Sequence, residues 1–90
     1  MSMNITFDAS KDAANRVKHG MSLADAEQLE WDTLWARPDR QRDYGELREI
    51  GFGYIGLRLF CVVFTDRDDE RRVISLRKAN AREVADYAKA

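Results

Sequence analysis

The segment Leu57 to Lys78, LRLFCVVFTDRDDERRVISLRK, decides how this chain folds. Phe60, Val62 and Phe64 alternate with Leu59, Cys61 and Val63, so both faces of its first half are apolar, as in a strand at the centre of a sheet. The turn Asp66-Arg67-Asp68-Asp69 follows, and Ile74 and Leu76 then alternate with Val73 and Ser75 as far as Arg77. So short a link joins antiparallel neighbours. Upstream, Ile50, Phe52 and Tyr54 alternate with Gly51 and Gly53, and a tight reversal at Ile55-Gly56 returns the chain into Leu57.

Outside this unit the signals are helical. Ile5 and Phe7 form a short strand pattern, after which Asp8 offers an N-cap, Ala13, Ala14 and Val17 recur at helical spacing, and Gly20 supplies a left-handed stop. Ser22 caps a second helix with Leu23, Ala26 and Leu29 on one face, giving a helix hairpin. Trp31, Leu34 and Trp35 end that helix or begin the next strand; the two indoles, four residues apart, read as core or partner-facing residues. Arg37 to Glu46, RPDRQRDYGE, is polar, holds the only proline and reads as a surface loop. Asn80 caps a last helix, with Glu83 completing a capping box and Val84, Tyr87 and Ala88 as its apolar stripe. The expectation is an α+β fold of order β-α-α-β-β-β-α, an antiparallel sheet packed with two N-terminal helices and a C-terminal one.

Ninety residues leave room for one core, so residues 1–90 are expected to form a single domain. With 44% apolar and 34% charged residues, the chain is too hydrophobic for disorder and too charged for a membrane protein. No apolar run approaches the ~20 residues of a membrane span and no signal-peptide layout opens the chain, so a cytoplasmic location is expected, away from membranes. The lone Cys61 lies in an apolar strand and reads as an inert buried thiol. Net charge is −1, yet Met1 to Ala36 carries three basic and six acidic residues while Leu57 to Ala90 carries eight and six. Four of the later acids, Asp66, Asp68, Asp69 and Glu70, bunch at one turn, so a local anion site is compatible with an acidic total.

With one Cys, one His and no phosphate-cradling glycine loop or nucleophile elbow, metal-spacing and nucleophile motifs are absent, and no metal or cofactor is expected. What remains is cationic. Arg58 opens the central strand and Arg77 closes its neighbour, so an antiparallel pairing brings them near each other; an arginine pair binds phosphate and stabilises a pentacoordinate phosphoryl transition state. The alternative is that they form structural salt bridges with Glu46, Glu49 or Glu83. His19 either moves a proton in RNA cleavage, where a 2′-hydroxyl attacks the adjacent phosphorus, or caps a helix C-terminus. Glu46 is the other candidate base. Tyr44 either stacks on a base or anchors its loop. Lys18, Arg48 and Lys78 complete the candidate substrate contacts, while Arg71 and Arg72, beside the acidic turn, read as solvated charge.

Phe7-Asp8-Ala9-Ser10-Lys11, followed by Asn15 and Lys18-His19-Gly20-Met21-Ser22-Leu23, resembles the opening of the BrnT family. The likeness continues through Arg42-x-Tyr44-Gly45-Glu46-x-Arg48 and Gly51, then Arg58-Leu59-x-x-Val62-Val63, and closes with Val73 to Asn80, Glu83 and Tyr87. Met21 stands where Val or Ile is usual, and the acidic run Asp66 to Glu70 is longer than expected. The resemblance implies a bacterial toxin of a type II toxin–antitoxin system, with a RelE-like ribonuclease fold. It also implies metal-independent endoribonuclease activity that inhibits translation and growth. Its partner would be a BrnA-like ribbon-helix-helix antitoxin, through which alone operator DNA is contacted, in an assembly such as a heterotetramer. It raises Lys18, His19, Glu46, Arg48, Arg58 and Arg77 as site residues without assigning their roles. Two rival readings are a non-catalytic module that docks an antitoxin and a ParE-like toxin acting on a protein target.

Overall fold

A computed structural model describes residues 4–39 and 46–89. Five strands form one sheet: β1 (Asn4–Thr6), β2 (Trp35–Pro38), β3 (Glu49–Ile55), β4 (Arg58–Arg67) and β5 (Glu70–Lys78), in spatial order β1-β5-β4-β3-β2. Helix α1 (Ala9–His19) follows β1, and α2 (Ala81–Lys89) ends the described chain. The expected central hairpin is present, with Val62 opposite Leu76 and Cys61 opposite Arg77.

Three features differ from the expected order. Trp35–Pro38 is a strand, paired with β3 through Trp35 opposite Phe52 and Arg37 opposite Ile50. Trp35 begins a strand, one of its two expected outcomes, while Arg37 and Pro38 read as loop because of the proline; an edge strand has N–H positions that need no partner and tolerates it. Next, β1 pairs with β5 in parallel, so the sheet is mixed. Finally, the expected second α-helix is two 3₁₀ segments, Leu23–Gln28 and Trp31–Thr33. Leu23, Ala26 and Leu29 are spaced by three, and three residues per turn puts all of them on the sheet-facing side.

Both hairpin turns are two-residue links. Ile55 pairs with Arg58 around Gly56, whose φ of 61° is the positive value required at the first central position of a II′-type loop. Arg67 pairs with Glu70 around Asp68, which also takes a positive φ. Between Val63 and Phe64 the β4–β5 register slips, leaving Ile74 as an extra residue on β5.

Cores lie on both sheet faces. On one, Phe60, Val62, Phe64, Val73 and Leu76 pack under Leu23, Ala26 and Leu29. There Leu34 lies over the bare glycines of β3: a Cβ at Gly51 would come within 2.6 Å of its Cδ2 atom, and one at Gly53 within 2.8 Å of Cδ1. On the other face Phe52, Leu59, Cys61 and Ala79 are buried with Tyr54 and Tyr87 beside them.

Where β1 stops, an amide side chain takes over the edge of β5. Asn15, 3% exposed, donates from Nδ2 to the Leu76 and Met21 carbonyls at 2.9 Å and accepts the Leu76 N–H at 3.0 Å. A second pin joins α1 to the 3₁₀ segment: the Asp12 carboxylate accepts the Leu23 N–H at 2.7 Å and the Ser22 hydroxyl at 3.0 Å.

Candidate functional site

Strand alternation sorts the cations by face. Arg58 shares the parity of Phe60 and pairs with Ile55, both of which belong to the core under the 3₁₀ segments, and Lys78 pairs with Phe60. Arg77 pairs with Cys61 and therefore projects to the α2 side. The expected approach of Arg58 to Arg77 is thus corrected: neighbouring strand ends are close along the backbone, but side chains of opposite parity leave on opposite faces. Lys78 is separated from Arg77 for the same reason.

The α2 side gathers other arginines instead. Arg37 on β2 is registered with Ile50, Arg72 on β5 with Thr65, and Arg67 on β4 lies two residues beyond Thr65; Arg48 leads into β3 with the parity of Ile50. With Arg77 they stand around a strip of sheet formed by the half-buried Ile50 and Val63 and the buried Thr65, next to the core under Ala79 and Tyr87. Arg72, which reads from sequence as solvated charge, is half-buried, and Arg37 stands on a strand where the sequence reads as loop. The signal that finds both is register: each alternates with residues that face the other way, and only a correctly placed β2 reveals Arg37.

Two carboxylates organise these cations. Glu83 accepts from Arg77 Nη1 at 2.7 Å and Nη2 at 2.8 Å, while exchanging hydrogen bonds with Asn80 in the expected capping box. The guanidinium holds Glu83 below the ordinary carboxylate range. At the other end, Glu46 accepts from Arg67 Nη2 at 2.8 Å and from Arg48 Nε at 3.4 Å, and these contacts, Arg67 first, lower its pKa. Thr65 donates to the Leu47 carbonyl at 2.7 Å and ties this segment to the sheet.

His19 and Lys18 end α1 beside Ser75 of β5. Loss of water around the ring, then the charges of Arg77 and Lys18, push His19 below its ordinary 6.5. His19 is thus electrostatically within reach of Arg77, whereas Glu46 is tied to Arg67, four residues along β4 from the Val63 that pairs with Ser75, about 13 Å away. The two candidate proton carriers stand at different ends of the strip. Tyr44 lies outside the described residues.

The remaining aromatic and cationic candidates are structural. Trp31 donates Nε1–H to the Ala26 carbonyl and meets Phe64 edge-on, and Arg71 stacks over both rings while pairing with Asp66. Arg71 is therefore not solvated charge. Trp35 is on the opposite face, against Phe52 and Tyr87. Burial pushes the Cys61 thiol up, which keeps it protonated and inert. Among the described residues, no three His, Cys, Asp or Glu side chains converge as metal ligands, and no helix is long and apolar enough to cross a membrane.

A mixed five-stranded sheet with α1 at its β5 edge and arginines gathered on its α2 face defines a small α+β protein. The family model described as the ribonuclease toxin, BrnT, of type II toxin–antitoxin systems matches residues 7–83. The crystal structure of the Brucella abortus ribonuclease toxin BrnT superposes with a TM-score of 0.68 at 27% identity, covering 88% of this chain and 99% of that one. Comparison with curated proteins gives no significant match. The chain belongs to the BrnT family of ribonuclease toxins of type II toxin–antitoxin systems.

Proposed function

We propose that this protein is a metal-independent endoribonuclease whose catalytic centre is the His19–Arg77 end of the arginine strip. The observation that carries the reading is the Arg77 guanidinium held by the two oxygens of Glu83 on the α2 side of β5, with His19 at the end of α1 against the same strand. In the proposed reaction His19 takes the proton of a 2′-hydroxyl, the 2′-oxygen bonds to the adjacent phosphorus, and the bond from phosphorus to the 5′-oxygen breaks. The products are a 2′,3′-cyclic phosphate and a 5′-hydroxyl, whose proton comes from water. Arg77, with Arg37 and Arg72 on the same face, opposes the charge that builds on the phosphorane oxygens. Lys18 and Arg48 hold flanking backbone, and Glu46 fixes Arg67 and Arg48 at the far end of the strip.

In the cell this single BrnT-like domain, with kinship to RelE-type folds, would inhibit translation by cutting RNA in the cytoplasm. A BrnA-like ribbon-helix-helix antitoxin would neutralise it and carry the complex, as a heterotetramer, to operator DNA. Incubation of purified protein with total RNA in EDTA tests the chemistry: cyclic-phosphate ends should accumulate in wild type and fall at least 100-fold in Arg77→Ala, about 2.7 kcal/mol of transition-state stabilisation. Undiminished cleavage by that variant, or none by wild type, overturns the reading. The second of these outcomes, combined with growth arrest on expression, would favour a toxin that acts on a protein.

A further inference from the structure

A groove of about 180 Å³ runs between α1 and β5, walled by Lys11, Lys18 and His19 on the helix and Ser75 on the strand, with the small Ala14 leaving its floor open. One end is His19 at the catalytic strip. The other is Lys11, whose role no structural contact explains. It is exposed and makes no hydrogen bond or ion pair with a described residue, and it lies two turns before the helix C-terminus, beyond the last turn where a cation serves the helix dipole. Asp8 stands near it electrostatically, but that carboxylate is engaged with the Ser10 N–H and hydroxyl.

Lys11 and Lys18 are seven residues apart, so they project from the same side of α1 about 10 Å from each other along its axis. Two ammonium groups at that separation, on a groove that His19 also lines one residue further round the helix, follow a chain of charges better than a single anion. We propose that this groove is a subsite for the RNA backbone, in which Lys11 and Lys18 hold phosphates flanking the scissile one as the strand leaves the sheet face over the β5 edge. The proposal rests on the ribonuclease reading above and adds Lys11 as a substrate-binding residue. Bound this way, RNA contacts the α1 side of the protein as well as the arginine strip. Asp8, which caps α1 three residues before Lys11, ends the favourable track.

The test measures affinity for a fluorescent heteropolymeric 20-mer of 2′-O-methyl RNA, which has no free 2′-hydroxyl to react, across a salt series. In Lys11→Ala, binding should weaken about fivefold near 0.1 M salt and the slope of log affinity against log salt should flatten by about 0.7, one phosphate contact on a single strand. Lys11→Arg should restore the slope, and Lys89→Ala, at the end of α2, should leave it at the wild-type value. On cleavable RNA, Lys11→Ala should raise KM by a similar factor with kcat retained. A wild-type slope in Lys11→Ala, or an equal flattening in Lys89→Ala, overturns the groove. Because the slope is read on uncut RNA, it judges the groove separately from the ribonuclease reading, which stands or falls on cleavage by wild type.

Discussion

His19 is the only histidine in the chain, so one imidazole signal reports its titration without overlap. Partial desolvation and the charges of Arg77 and Lys18 lower its pKa, which means the folded protein binds that proton less readily than the unfolded chain does. Its contribution to stability is therefore complete above about 6.5 and is lost as pH falls through the lower folded value. The proposed catalysis by the unprotonated ring has the same direction, so cleavage should rise on an acid limb centred below 6.5. Proton NMR of Arg77→Ala should move the His19 pKa upward, toward 6.5; an unchanged value would mean that the two groups do not interact. Replacing each proton carrier separates them: His19→Gln should lower kcat about 100-fold or more, whereas Glu46→Gln should act through Arg67 and Arg48, raising KM more than it lowers kcat. If Glu46→Gln instead abolishes kcat while His19→Gln is active, the centre lies at the other end of the strip. Sequence alone leaves His19 and Glu46 as rivals, because neither composition nor spacing shows that one lies against β5 within the field of Arg77 and the other pairs with two arginines.

At the level of elements, the central hairpin is legible in the sequence because apolar alternation on two faces, bounded by turn residues, suits a strand at the middle of a sheet and little else. Departures fall where a local rule has two outcomes. Proline excludes a central strand but not an edge strand, and three-residue apolar spacing serves a 3₁₀ segment as well as the start of an α-helix. The structural part played by Asn15 is invisible in the sequence because a buried amide has no periodic signature. Its side chain makes three hydrogen bonds to the backbone, two of them to Leu76. Asn15→Ala would leave the Leu76 N–H and carbonyl unpaired at a buried edge, and urea unfolding should show a loss of roughly 2–4 kcal/mol. Gly51→Ala drives a methyl against Leu34 and should be destabilising by roughly 1–3 kcal/mol. The double variant with Leu34→Val should show a smaller loss than the sum of the two single losses, since both residues occupy one space. Strict additivity would show that the clash is relieved elsewhere.

Across the whole molecule, a net charge of −1 conceals segregation. The α2 side carries Arg37, Arg48, Arg67, Arg72 and Arg77 against Glu46 and Glu83, and Lys11 and Lys18 extend that surface around the β5 edge, where Asp8 lies near Lys11 and Arg72. Two of the other acids have structural partners: Asp12 pins α1 to the 3₁₀ segment, and Asp66 holds Arg71 on Trp31. Charge counting along the chain hints at this separation, but it ignores strand parity, and parity is what sends Arg58 and Lys78 to the opposite face. A surface on which arginines and lysines outnumber carboxylates predicts counterion release on binding RNA, although the protein as a whole is slightly anionic. With about five single-strand phosphate contacts, affinity should fall roughly 100-fold between about 50 and 200 mM salt. Arg72→Glu, which reverses one corner of the strip without disturbing Arg77 or His19, should flatten the dependence and weaken binding at low salt, with circular dichroism unchanged. A salt-independent affinity in wild type would show that RNA is held by groups other than these arginines and lysines, and the site would then have to be sought away from the α2 face.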